Sequence, residues 1–170
     1  MITAEYNREK AVEYAKRWAL DRNPEYYDYS QIGGNCTNYV SQCVYAGSEV
    51  MNYTKDIGWY YIDANDKSPS WTGVKFFNNF MTQNNGIGPF GEITDLRNLE
   101  LGDVIQFLNR RGELYHTVIL TGITRTVRGK RYYVCANSRD AYQKNLNSYN
   151  FYGLSCIHML GLRKKQVPLN

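Results

Sequence analysis

The chain has 170 residues, 43% of them hydrophobic, with 20 Lys and Arg against 16 Asp and Glu for a formal net charge of +4. That supplies one substantial core but not two domains of ordinary size, so residues 1–170 read as a single folded domain. The basic residues are scattered, which gives no nucleic-acid face. No apolar run approaches the ~20 residues of a membrane span, and residues 1–16 lack the apolar core of a secretory signal.

In chain order, Ala11, Tyr14, Ala15 and Trp18 fall at i, i+3, i+4 and i+7 and predict an amphipathic helix over residues 3–21, ended by Asn23-Pro24. Residues 24–34 read as loop. A second helix is expected over residues 37–46, with Val40, Cys43 and Val44 inward and Gly47 as its stop. Residues 48–71 have no period and form a long irregular excursion. Val74, Phe77, Phe80 and Met81 predict a third helix over residues 72–83, capped by Ser70 and stopped by Asn84-Asn85-Gly86. After a loop at Gly88-Pro89-Phe90-Gly91 the pattern changes to alternation. Strands are expected at residues 103–109, 116–122, 132–136 and 157–161, with turns at Arg110-Arg111-Gly112 and Arg128-Gly129-Lys130. The fold class is therefore α+β, N-terminal helices packed on a C-terminal antiparallel β-sheet.

Four cysteines are too few and too widely spaced for a disulfide scaffold and lack the paired spacing of a zinc site, so no metal and no cofactor is expected. Cys43, Cys135 and Cys156 sit in apolar helix or strand patterns and read as buried structural thiols. Cys36 differs. It follows Gly33-Gly34-Asn35 and opens a helix, where unpaired N–H groups and the positive dipole end favour a negative sulfur. A cysteine nucleophile needs a base. His116, at the start of the strand His116-Thr117-Val118-Ile119-Leu120, is both fixed and accessible, whereas His158 reads as a hydrogen-bonded histidine on the outer face of a strand. Asp103 reads as turn chemistry that starts its strand.

Five motifs occur in order: Gly34-Asn35-Cys36-Thr37-Asn38-Tyr39-Val40-Ser41-Gln42-Cys43, Gly58-Trp59-Tyr60-Tyr61, Ser70-Trp71-Thr72-Gly73-Val74, Leu101-Gly102-Asp103-Val104-Ile105-Gln106 and Tyr115-His116-Thr117-Val118-Ile119. With these the chain resembles the bacterial putative amidase domain family over roughly residues 6–162. Through that family it resembles, more distantly, the NlpC-type endopeptidases and CHAP amidases of cell walls. The resemblance implies a papain-like fold and a cysteine hydrolase that cleaves an amide bond through an acyl-enzyme. It also implies a peptide or peptidoglycan stem-peptide substrate, a monomer, and a secreted or cell-wall setting.

By the same resemblance Cys36 is the nucleophile and His116 the general base and then acid. The third position falls on Asn137, whose amide oxygen can hold an imidazole tautomer, with Asp140 as rival. Asn35 stands where the family commonly has Asp, which removes a charge that would oppose a thiolate. Asn35 and Gln31 are candidate oxyanion contributors beside the Cys36 backbone N–H. Trp59, Tyr60, Trp71 and Tyr115 are candidates for a substrate groove. Two other functions fit the same residues: a non-catalytic cell-wall or polysaccharide-binding domain with this fold, and a thiol acyltransferase.

Overall fold

A computed structural model describes residues 1–170. In chain order it contains β1 (Ile2–Ala4), α1 (Arg8–Trp18), α2 (Cys36–Ser48), β2 (Tyr61–Asp63), β3 (Asp66–Lys67), the single turn α3 (Pro69–Thr72), and α4 (Val74–Gln83). Then come β4 (Gly88–Thr94), β5 (Val104–Leu108), β6 (Leu114–Thr126), β7 (Gly129–Ala136), β8 (Ala141–Asn145) and β9 (Gly153–Lys164). The class is α+β, as expected. Seven strands form one antiparallel sheet in the order β1-β9-β5-β6-β7-β8, with β4 also paired to β9. At 12 residues β9 is long enough to serve three partners: β5 through 153–157, β4 through 156–163 and β1 through 162–164.

The sheet separates two cores, as the period of two along a strand requires. On β6, Ile119 faces the helices and packs with Val40, Cys43, Trp71 and Phe77. Its neighbours Val118 and Leu120 face the other way and pack with Ile105, Phe107 and Val134. Helix α2 is buried on nearly every side, being sandwiched between α1 and the sheet. Its seat includes the two tryptophans. Trp59 and Trp71 are fully buried, with ring centroids 4.8 Å apart. Their indole N–H groups donate to Ser41 Oγ at 3.1 Å and Asn38 Oδ1 at 2.9 Å.

Several element boundaries differ from expectation, each for a local reason. Helix α1 begins at Arg8 rather than near residue 3, because Ile2–Ala4 is bound to β9 and Asn7 caps the helix by accepting from the Lys10 N–H at 3.0 Å. Gly47 does not stop α2. It lies inside the helix, where a Cβ would come within 2.5 Å of the Tyr6 ring, and the stop is Glu49 in the left-handed region at φ 55°. The third helix breaks at Gly73 into α3 and α4, and Ser70, instead of capping, is buried and donates to the Gly58 carbonyl. The expected loop at Gly88-Pro89-Phe90-Gly91 opens β4, and the 48–71 excursion contains the β2–β3 hairpin. β8 was not expected from its sequence, Ala-Tyr-Gln-Lys-Asn; pairing with β7 makes it a strand. No helix is long and apolar enough to cross a membrane.

Candidate active site

Cys36 is the first residue of α2 and half-buried, whereas Cys43, Cys135 and Cys156 are buried in the two cores. Gly33 and Gly34 approach it at φ 82° and 105°, values that L side chains rarely adopt, so this turn requires glycine for its backbone. The residue before the helix leaves the helix end open. Asn35 makes no cap: its Oδ1 accepts from the Tyr29 N–H at 3.0 Å and from Asn38 Nδ2 at 2.8 Å, and its Nδ2 donates to Asn137 Oδ1 at 2.7 Å. The first N–H groups of α2 are thus available beside the sulfur, with the positive end of the helix dipole.

One buried hydrogen bond ties this turn to the histidine strand. Thr37 Oγ1, one residue after Cys36, lies 2.9 Å from Thr117 Oγ1, one residue after His116. Gln106 extends the link by donating to Thr117 Oγ1 at 3.2 Å and to the Val74 carbonyl at 2.9 Å, so α2, β6, β5 and α4 are locked together. Cys36 and His116 consequently line one cleft of about 460 Å³, with Phe107, Tyr115 and Tyr149 as its aromatic wall. The thiol and imidazole are not hydrogen-bonded to each other; the sulfur's polar neighbour is Thr37 Oγ1 at 3.8 Å.

His116 is packed among rings, with Phe107, Tyr149 and Tyr115 centroids at 5.4, 6.4 and 6.5 Å. Burial, helped by Arg139 and Lys144, pulls its pKa from 6.5 down to about 4. The imidazole is therefore neutral, and able to accept a proton, at any pH well above 4. An NMR titration of the His116 ring protons should have its midpoint near pH 4, not near 6.5. Stability follows the same titration. Between pH 4 and 6.5 the unfolded chain binds the extra proton, so this contribution is complete above 6.5 and is lost as pH falls through about 4. Urea unfolding across that window, with His116→Gln as reference, checks the slope.

The other expected site residues divide. Asn137 is buried but does not reach His116. Its Nδ2 donates to the Trp18, Ala19 and Asp21 carbonyls at 3.2–3.3 Å and its Oδ1 accepts from Asn35. It satisfies the open C-terminal carbonyls of α1 and braces the cysteine turn, and neither its oxygen nor its nitrogen is hydrogen-bonded to the imidazole. Asp140 is held by Arg22 at 2.9 and 3.2 Å and does not line the cleft. Gln31 is exposed and also outside the cleft lining. Trp59, Trp71 and Tyr60 are buried, which removes them from any substrate groove; Tyr115 does line the cleft. Asp103 and His158 form a separate structural cluster at the opposite end of β5. No three His, Cys, Asp or Glu side chains gather as a metal site.

The family described as Putative amidase domain matches residues 5–159. The chain belongs to that family. A curated relative, Uncharacterized protein YhbB of Bacillus subtilis (strain 168), is 30% identical over 119 residues. The match covers 68% of this chain and 37% of that protein's length, so the chain corresponds to little more than a third of its relative. No solved structure matches. The family description points to hydrolysis of amide bonds.

In this amidase-family domain the cleft also contains residues that sequence reasoning passed over: Ser138 and Arg139 in the β7–β8 turn, Lys144 on β8, and Tyr149 beyond it. Tyr-x-Lys alternation across residues 142–144 was the available signal, since β8 presents alternate side chains to solvent.

Proposed function

We propose that residues 1–170 act as one papain-like domain that hydrolyses an amide bond through a thioester on Cys36. The observation that supports it best is the shared cleft of Cys36 and neutral His116 at the uncapped start of α2. His116 removes the thiol proton as sulfur attacks the carbonyl carbon. The oxyanion so formed lies where the Cys36 backbone N–H and the helix dipole can stabilise it. Imidazolium then gives its proton to the leaving nitrogen, the C–N bond breaks, and an acyl-sulfur ester remains. Water, deprotonated by His116, attacks the ester and releases a carboxylic acid and the free thiol. The aromatic wall around His116 supplies the ring orientation for which no polar partner is present.

The substrate reading, by resemblance, is a peptide or peptidoglycan stem peptide. Incubating the protein with purified peptidoglycan and with isolated stem peptides tests it. One new amine and one new carboxyl group per cleavage, found by mass spectrometry, are expected. Binding without new termini would instead support a wall-binding domain. Transfer of the acyl group to an added amine in preference to water would make the protein an acyltransferase.

A further inference from the structure

The cleft that carries the amidase reading has a charge pattern that the reaction itself does not need. Its lining contains two cations, Arg139 and Lys144, and no Asp or Glu. Neither cation takes part in an ion pair: the salt bridges of the fold use Arg8, Lys10, Arg22, Arg97 and His158. The carboxylate next to Arg139 in the chain, Asp140, is committed to Arg22 at 2.9 Å. Lys144 is held by an aromatic face, its Nζ 4.1 Å from the Tyr149 ring centroid.

The backbone that presents Arg139 is strained. Ser138 and Arg139 are both non-glycine residues at positive φ, 57° and 68°, in the turn between β7 and β8. Glycine would adopt these angles without penalty, yet the turn carries a hydroxyl that accepts from the Asn35 N–H and a guanidinium at the cleft. The same turn braces the nucleophile and aims a positive charge beside it.

From this we infer that the amide cleaved at Cys36 carries a carboxylate close to the scissile bond, bound by Arg139 and Lys144. This rests on the amidase reading for the word "cleaved", but the anion site stands on the cations alone. A carboxylate can come from an acidic side chain or from a chain terminus. Both supply the same acceptor to a guanidinium and an ammonium. Both cations are solvent-exposed and therefore screened, and acting together they favour such a ligand over its neutral isostere by about tenfold.

The first measurement reads the site without any substrate. Cys36 is alkylated in the native protein with iodoacetate, which is anionic, and with iodoacetamide, its neutral isostere. The buried Cys43, Cys135 and Cys156 serve as internal controls. The iodoacetate-to-iodoacetamide rate ratio at Cys36 should be about tenfold higher in the wild type than in Lys144→Gln/Arg139→Gly, and Lys144→Arg should retain most of it. An equal ratio in wild type and double variant would overturn the inference whether or not the protein turns over amides.

The second measurement names the source. In peptide amides that differ only as Glu against Gln, or as free against amidated C-terminus, the charged member of one pair should have the higher kcat/KM, and the double variant should erase that preference. Equal kcat/KM within both pairs would likewise overturn it. Loss of all turnover in the wild type, with the alkylation ratio still responding to the two substitutions, would remove the amidase reading and leave an anion-binding cleft.

Discussion

Cys36→Ala should lower amide turnover by roughly 10³-fold or more, and His116→Ala by roughly 10²–10⁴-fold, with product release measured on whichever amide the wild type cleaves. The two effects should not add. Once the sulfur is gone the base has nothing to deprotonate, and without the base the thiol attacks slowly, so the double variant should be close to Cys36→Ala alone. Cys36 is half-buried and makes only a 3.8 Å contact to Thr37, so its removal should move stability within about 0.5 kcal/mol. Undiminished turnover by Cys36→Ala would exclude the thioester route. The result also separates chemistry from architecture, because the Thr37–Thr117 link that brings helix and strand together is untouched by either substitution.

Asp103→Ala should destabilise the fold by roughly 3–5 kcal/mol, read from urea unfolding. Asp103 is fully buried at the end of β5, and its two oxygens accept from four donors. They are Arg8 Nη1 and His158 Nδ1, each at 2.7 Å, and the N–H groups of Glu100 at 2.8 Å and Met159 at 2.9 Å. Removing the carboxylate leaves Arg8 with only the exposed Glu100 carboxylate, at 3.6 Å, and the Leu101 and Met159 carbonyls, and leaves His158 Nδ1 and two backbone donors without their acceptor. Asp103→Asn keeps part of the network and should cost less. Because this cluster lies at the far end of β5 from Phe107 and the cleft, a folded Asp103→Asn should retain its activity. A loss of turnover without a loss of stability would give Asp103 a role that its position does not explain.

The helical half was legible because amphipathic spacing is a local signal. Ala11, Tyr14, Ala15 and Trp18 announced α1, and Val74, Phe77, Phe80 and Met81 announced α4. The boundaries were less so, because a partner elsewhere in the chain sets them. Gly47 looks like a stop in isolation but is the space into which Tyr6 packs. β1, β4 and β8 lack a strong apolar alternation of their own and are strands through pairing with β9 and β7. Trp59 and Trp71 were groove candidates although isolated aromatics are more often core, and their burial beneath α2 decides for the core.

At the site the same division holds. The glycine turn before Cys36 and the strand after His116 express backbone needs that a few neighbouring residues impose, so the candidate pair could be named from the chain. Its third member could not. Asn137 has the right chemistry for an orienter, but hydrogen bonds are spent where geometry puts them, and here they go to the end of α1 and to Asn35. The α+β class, the single exposed-side thiol and its candidate base follow from local patterns in the chain. The packing of β7, β8 and the following segment against the cysteine turn decided what surrounds them: an aromatic seat for His116 and two unpaired cations. The reason is that long-range pairing, which no local pattern encodes, determines which side chains share a cleft and therefore which charges act on one another.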